Sequence, residues 1–339
     1  MEQFRHTNVR RSVTLQDVAA AAGVSSSAAS VVLNGARSGT RVATATRRNI
    51  LEAAARLGYR PHEVARSLAT GRSHRVGVYS GRSRLDCRNP FFAEVLGGIF
   101  EGAEEHGLDT VVHTSGRNEG RLLDLVQSHA LDGLIVHASP DDPIVPVLGE
   151  LQVPAVAIGD PTEGIPSIAV DDRAGGTLLA QHLASRGHRH VLVKAANSPP
   201  LSALVRVEAF RETCECLGVR VTLGFQTVDG TGALTRADLR TLTDRHDRAT
   251  AVMGWSDIVA ESVCRALEGA GFRIPDEVAV VGFDGFSHPY LPRFELTTIH
   301  APWAAVGREA VRHLNTLIIG GTIPMLTVMP VAFHHGSTT

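Results

Sequence analysis

The spacing of apolar positions changes once along this chain, and the change divides it. From Thr14, the apolar residues Leu15, Val18, Ala19 and Ala22 recur at i, i+3, i+4 and i+7, the spacing of one helix face. Thr14 with Asp17 predicts a capping box at the start of that helix, and Gly23 predicts a left-handed stop. Ser25 can cap a second helix that continues to about Leu33 and ends at Asn34-Gly35. It would turn Ala29, Val32 and Leu33 toward the first helix and leave Ser26, Ser27, Ser30 and Val31 outward. A third helix from about Thr44 to Leu57, closed by Gly58, puts Ile50, Ala53, Ala54 and Leu57 on one side. Two short helices joined by a three- or four-residue turn and covered by a third predict a helix-turn-helix, whose second helix enters the major groove of DNA.

After Ser73 the pattern becomes short apolar strands alternating with amphipathic helices. The strands are expected at Val76 to Tyr79, Thr110 to His113, Leu134 to His137, Ala155 to Ile158, Val191 to Val193, Ala251 to Met253 and Val278 to Phe283. Helices ending in Gly pass at once into a strand at Gly107-Leu108, Gly187-His188, Gly218-Val219 and Gly271-Phe272. The fold class is therefore α/β, a doubly wound parallel sheet. About 265 residues and roughly ten strands fit two subdomains with a cleft better than one sheet. Ligands of open α/β sheets bind beyond the carboxyl ends of the strands, which marks Tyr79, Ser80, Trp255, Ser256, Asp257 and Asp284 for first inspection. Residues 313 to 339 hold no Asp, Glu, Lys or Arg, but Gly320, Gly321, Pro324 and Pro330 interrupt them. They are expected to form a helix, a turn, a strand and a polar tail, with no membrane span.

Composition sharpens this division. The 339 residues are 43% hydrophobic and 20% charged, which excludes collagen-like and globally disordered chains. Residues 1 to 75 carry 12 Arg, no Lys and 4 acids, a formal charge of +8; the remainder carries 21 basic and 31 acidic residues, a charge of −10. A basic head on an acidic body points to an anionic polymer held at one end, duplex DNA ahead of an anionic membrane surface. Arg47 and Arg48 in the first turn of the third helix oppose its dipole, which suits nearby phosphates. Four cysteines, Cys87, Cys214, Cys216 and Cys264, are too few for a disulfide scaffold, and the polar start MEQFRHTNVRRS has no apolar signal segment. A reducing, cytoplasmic location is expected.

The run Thr14-Leu-Gln-Asp-Val-Ala-Ala-Ala-Ala-Gly-Val-Ser-Ser-Ser-Ala-Ala-Ser-Val-Val-Leu-Asn-Gly35, followed by Leu57-Gly-Tyr-Arg-Pro61 and Ala65-Arg-Ser-Leu68, resembles the lactose-repressor (LacI) family of bacterial transcription regulators. The body continues the likeness in order through Asn89-Pro90-Phe91-Phe92, Gly187-His188-Arg189, Arg206 before Ala209-Phe210, Ile274-Pro275-Asp276-Glu277-Val278, Val281-Gly282-Phe283-Asp284 and Leu296-Thr297-Thr298-Ile299. The resemblance implies a DNA-binding domain at 1–60, a hinge helix or linker at 61–73, and a two-lobed periplasmic-binding-protein-like domain at 74–339. Lobe 1 would hold about 74–172 and 302–327, and lobe 2 about 173–301 and 328–339. It further implies a homodimer on a palindromic operator and control by a small polar, sugar-like effector. Ser26, Ser27 and Val31 would read bases, and Leu68 would wedge into the minor groove. Thr14, Ser25, Ser30, Asn34, Arg47 and Arg66 complete the expected DNA contacts. Arg206 and Asp284 would clamp the effector between Phe91, Phe92 and Trp303. Val31 stands where many members carry Arg, so a thymine methyl contact is the more natural expectation. Ser256 stands where many carry Asn, which shortens the reach to a ligand hydroxyl.

Other signals carry less. His188-x-His190 lacks a third metal ligand, Cys214 and Cys216 point apart on a helix, and Asp171-Asp172 and Asp141-Asp142 are adjacent carboxylates that need share no pocket. Gly230-Thr-Gly232 is no dinucleotide fingerprint. No catalytic set, metal or cofactor is expected. A solute-binding protein with a basic appendage, or a sugar-processing enzyme on the same scaffold, remains the alternative reading; the missing signal segment weighs against the first and the missing acid/base or nucleophile set against the second.

Overall fold

The computed structural model describes residues 13–34, 42–60, 67, 70–81, 85–113, 124–125, 127–128, 130–139, 142–150, 153–226, 234–286 and 294–339. Arg66, Leu68 and most of the expected hinge lie outside these residues. Two units result, residues 1–75 with 120–132 and residues 76–119 with 133–339.

In the first unit, Thr14 opens helix α1 (Leu15–Ala22) with a complete capping box: Asp17 N–H donates to the Thr14 hydroxyl, and Thr14 N–H donates to Asp17 Oδ2 at 2.8 Å. Gly23, at φ 68°, ends it. Helices α2 (Ser26–Asn34) and α3 (Thr44–Leu57) close a core of Val18, Ala19, Ala29, Ile50, Ala53 and Ala54. Leu57 departs from expectation and lies exposed at the last turn of α3. The left-handed Gly58 reverses the chain there, and Tyr59 packs on the core instead.

The second unit holds two parallel sheets. The first has the order β11-β5-β4-β3-β1-β2, from β1 (Arg75–Ser80), β2 (Asp109–Val112), β3 (Gly133–His137), β4 (Ala155–Ile158), β5 (Ser167–Val170) and β11 (Leu326–Met329). The second has the order β7-β6-β8-β9, from β6 (His190–Ala195), β7 (Arg220–Phe225), β8 (Ala251–Gly254) and β9 (Ala279–Val281). Registers such as Val78 opposite Ile135 and Val193 opposite Met253 place buried aliphatics on both faces, as a sheet covered by helices requires. Helices α4 (Pro90–His106) and α10 (Trp303–Ile318) pack on each other, and α10 covers β3, β4 and β5; α5 (Ile144–Glu150) precedes β4. Helices α6 (Asp172–Ser185) and α7 (Leu201–Cys216) pack on each other, α8 (Arg236–Thr243) lies on β6 and β7, and α9 (Asp257–Gly269) lies on β8 and β9. The chain crosses between the two lobes three times: after β5 into α6, after β10 (Thr298–His300) into α10, and after β11 into β12 (Ala332–His334), which pairs antiparallel with β10.

The α/β expectation holds, with differences of detail. The Gly271-Phe272 joint does not enter a strand at once, because Arg273 to Glu277 form a turn closed by Arg273 N–H donating to the Glu277 carboxylate at 2.9 Å. Strand β11 runs to Met329, two residues past the expected end of the first lobe's return segment at 327. The expected polar tail packs inward: Thr338 and Thr339 are buried, since the Thr338 hydroxyl donates to Val280 O at 2.7 Å and accepts from Thr297 N–H at 2.9 Å. No described helix is long and apolar enough to cross a membrane.

Replacing Thr14 by Ala removes the acceptor of the capping box and should destabilise α1 by about 1 kcal/mol. Amide exchange at Asp17 should quicken several-fold, with Thr14→Ser restoring protection; unchanged exchange in Thr14→Ala would contradict the capping role.

Candidate functional site

Two surfaces carry chemistry. On the first unit, Ser25, Ser26 and Ser27 are exposed at the amino end of α2, and Ser30 and Val31 are half-buried on the following turn. Thr14 is exposed while serving as the α1 cap, and Ser25 accepts from Ala28 N–H at 3.2 Å. Arg47 and Arg48 project from the first turn of α3 into solvent. Asn34 corrects the expectation of a DNA contact. Its side chain is buried and its Nδ2 donates to Ser30 Oγ at 3.3 Å, because the last turn of α2 faces inward.

On the second unit, the carboxyl ends of seven strands converge on one cavity of about 690 Å³. Gly81 follows β1, His137 ends β3, Gly159 follows β4, Asn197 and Ser198 follow β6, Gln226 follows β7, Trp255 and Ser256 follow β8, and Asp284 follows β9; all line it. Parallel strands arriving from two sheets leave their loops facing one another at this edge. Helix α4 adds Phe91 and Phe92 behind its cap Asn89, α7 adds Ser202 and Arg206, and α10 adds Trp303.

Arg206 is the centre of the polar wall. It is 2% exposed, and a charge so placed must find partners. Its Nε and Nη2 donate to Asp172 Oδ1 at 3.0 and 2.8 Å, and its Nη1 donates to Trp255 O at 2.7 Å and lies 3.7 Å from Asp284 Oδ1. The guanidinium also sits 3.6 Å from the ring centroid of Phe283, a cation–π contact. Gly176 of α6 sets this placement: a Cβ there would come within 2.2 Å of Arg206 O, so only glycine lets α7 approach closely enough. Asp284 has φ 125°, a conformation that side-chain-bearing residues rarely adopt, and accepts from Trp303 Nε1 at 3.3 Å.

Burial pushes the Asp284 carboxyl well above the ordinary range, with Arg206 opposing the shift. Burial likewise raises Asp172 to about 6 in spite of Arg206. Burial also raises Asp257, against hydrogen bonds from Thr298, Phe286 and Gly285.

Six of the eight expected effector residues line the cavity: Phe91, Phe92, Arg206, Ser256, Asp284 and Trp303. Tyr79 and Asp257 do not. The Tyr79 hydroxyl is buried against Asp142 at 3.2 Å, and Asp257 accepts from Gly285 N–H at 2.8 Å, Phe286 N–H at 3.1 Å and the Thr298 hydroxyl at 2.6 Å. Each ties down chain beneath the site: Tyr79 holds the residues before Ile144, and Asp257 holds the turn after Asp284.

The amino-terminal region matches the family described as bacterial regulatory proteins, lacI family, over residues 14–62, and residues 180–339 match a periplasmic binding protein-like domain. Over 92% of its length the chain is 32% identical to the HTH-type transcriptional regulator CelR of Thermobifida fusca, covering 94% of that protein. The chain belongs to the lacI family. It is 30% identical to the transcriptional repressor PurR of Photobacterium profundum, over 89% of this chain and 90% of that one. Among solved structures, a CelR–cellobiose complex superposes with a TM-score of 0.68 at 28% identity, over 96% of this chain and all of that one. The lac repressor dimer bound to operator and the anti-inducer ONPF superposes with a TM-score of 0.78 at 25% identity, over 97% and 99%. This lacI-family chain is thus a DNA-binding transcription regulator with a small-molecule cleft, and its relatives are transcriptional regulators.

Sequence reasoning missed Asp172 in this regulator, having set Asp171-Asp172 aside as carboxylates without a shared pocket. Asp171 caps α6 by accepting from Ala174 N–H at 2.9 Å, whereas Asp172 meets Arg206. It also missed His137 and Gln226, which follow no motif; the one available signal was their position at strand ends.

The high pKa of Asp172 makes a signed prediction. The unfolded carboxyl titrates near about 3.9, so the folded protein keeps a proton that the unfolded chain releases. This group's contribution to stability is full below about pH 4 and falls as pH rises through about 6. The stability of the native protein relative to Asp172→Asn, followed by urea unfolding from pH 4 to 7, should therefore decline with pH; a rise would contradict the assignment.

Proposed function

We propose that this regulator is a cytoplasmic homodimeric repressor whose two heads read the halves of a palindromic operator while each cleft senses a sugar-like metabolite. The observation that carries the effector half is the cavity at seven strand ends, where a buried guanidinium and carboxylate, Arg206 and Asp284, stand among aromatic rings. That combination suits polyhydroxylated ligands, whose hydroxyls donate to carboxylate and accept from guanidinium while the ring faces stack. The cellobiose in the CelR complex is a ligand of this kind. Phe91, Phe92, Ser256 and Trp303 would complete the contact surface.

For the DNA half, Ser26, Ser27 and Val31 would meet base edges in the major groove, with Val31 against a thymine methyl. Thr14, Ser25, Ser30, Arg47 and Arg66 would hold phosphates, and Leu68 would wedge into the minor groove. A regulator of this design has no catalytic step.

Selection of bound sites from random duplex DNA, with and without sugars, should return a two-fold symmetric sequence whose occupancy changes with one of the sugars. Affinity for that site should fall steeply with salt, and Arg47→Ala should flatten the slope of log K against log salt by about 1, as loss of one phosphate contact requires. An asymmetric site, or an unchanged slope in Arg47→Ala, would contradict these roles.

A further inference from the structure

The described end of the linker, residues 70–75, closes around one carboxylate. His74 immediately precedes β1, and Asp132 immediately precedes β3. Asp132 Oδ1 accepts from the Ser73 N–H at 2.6 Å and from the Ser73 hydroxyl at 2.8 Å, and Oδ2 accepts from the His74 N–H at 2.9 Å. The Asp132 N–H donates to Arg75 O at 2.7 Å, and the Ser73 hydroxyl accepts from the Arg75 N–H at 3.2 Å. The Asp132 side chain is only 5% exposed.

Three features of this clamp go beyond local packing. Donors from two successive residues, one on each carboxylate oxygen, fix the direction of the chain as well as its position. Such charge-assisted bonds are roughly twice as strong as neutral ones, and pivoting away would leave a buried carboxylate unpaired. Next, His74 has φ 57°, a left-handed backbone that a side-chain-bearing residue keeps only where its surroundings enforce it. Gly71, at φ 71°, supplies a left-handed turn at no such cost three residues earlier, so the chain is free to bend there and is held at His74. Finally, the nearby cation is passed over. Arg72 Nε lies 3.8 Å from Asp132 Oδ2 and is buried without a hydrogen-bond partner among the described residues. The carboxylate is spent on the linker backbone instead.

We propose that Asp132 is a positioning residue for operator binding: its carboxylate sets the point and direction at which the linker leaves the first lobe, and with them the spacing of the two heads on DNA. This rests on the reading of a homodimer on a palindromic operator. One base pair added between half-sites moves them about 3.4 Å apart and turns them by about 35°. A fixed joint cannot follow that change, and a loosened one can.

The test measures affinity of the full-length protein, by fluorescence anisotropy, for its selected symmetric duplex, for the same duplex with one central base pair added or removed, and for a random-sequence duplex of equal length. Native protein should prefer the selected spacing by about ten-fold or more. Asp132→Ala should weaken the selected site about ten-fold and shrink the spacing preference below about three-fold, with binding to the random duplex changed less than about three-fold, because phosphate contacts carry the last. Asp132→Asn keeps the shape and one acceptor oxygen; it should fall between the two, and it decides the matter by itself if Asp132→Ala does not fold. A lowered melting temperature with the native spacing preference intact is what a merely structural role gives, and it overturns the proposal while the palindrome reading stands. Native protein that binds all three spacings alike overturns both.

Discussion

A guanidinium shut away from water must be neutralised by its neighbours, and the cleft is organised by how Arg206 meets that demand. Its partners come from the start of α6, the end of β8 and the end of β9. One buried cation thus ties together elements far apart in sequence, and removal of any one partner would leave a charge uncompensated, which is more damaging than the pair itself is stabilising. The raised pKa values of Asp172 and Asp284 reflect the same constraint from the acid side.

The route from cleft to control follows from the three crossovers. A ligand touching Phe91 and Trp303 on one lobe and Arg206 and Trp255 on the other stabilises whichever arrangement of lobes brings these groups together. It can shift an equilibrium only by the difference in its affinity for the two arrangements. Strands β10 and β12 carry two of the crossings and pair with each other, so any change in lobe orientation must be absorbed at their ends.

Much of this was legible in the sequence because local rules and tertiary structure agree. The capping box at Thr14, the left-handed Gly23 and Gly58, and the aliphatic runs of β1, β3, β4 and β8 each satisfy local chemistry and the final packing alike. The errors fall where a distant partner decides. The strand expected at Val191 to Val193 runs on through Lys194 to Ala195, because Asp238 of α8 and Phe225 O receive the buried Lys194 ammonium at 2.7 and 2.5 Å. Asp172 looked like one of two equivalent carboxylates until α7 brought Arg206 to it. Leu57 came out exposed because the left-handed Gly58 reverses the chain there, and Asn34 turned inward, where its amide reaches Ser30. In the cleft, the residues carried by motif were found, and those placed only by the strand ends, such as His137 and Gln226, were not.

The central claim is that the cleft and the DNA-binding head share one equilibrium. Coupling of two binding sites is reciprocal, so it can be read from the sugar side. The affinity of the cleft for its effector should be measured on the free protein and on the protein saturated with its selected operator. A difference of about 5- to 150-fold, matched by an equal factor in operator affinity when the sugar is saturating, is the expected result. Identical sugar affinities in the two states would contradict it.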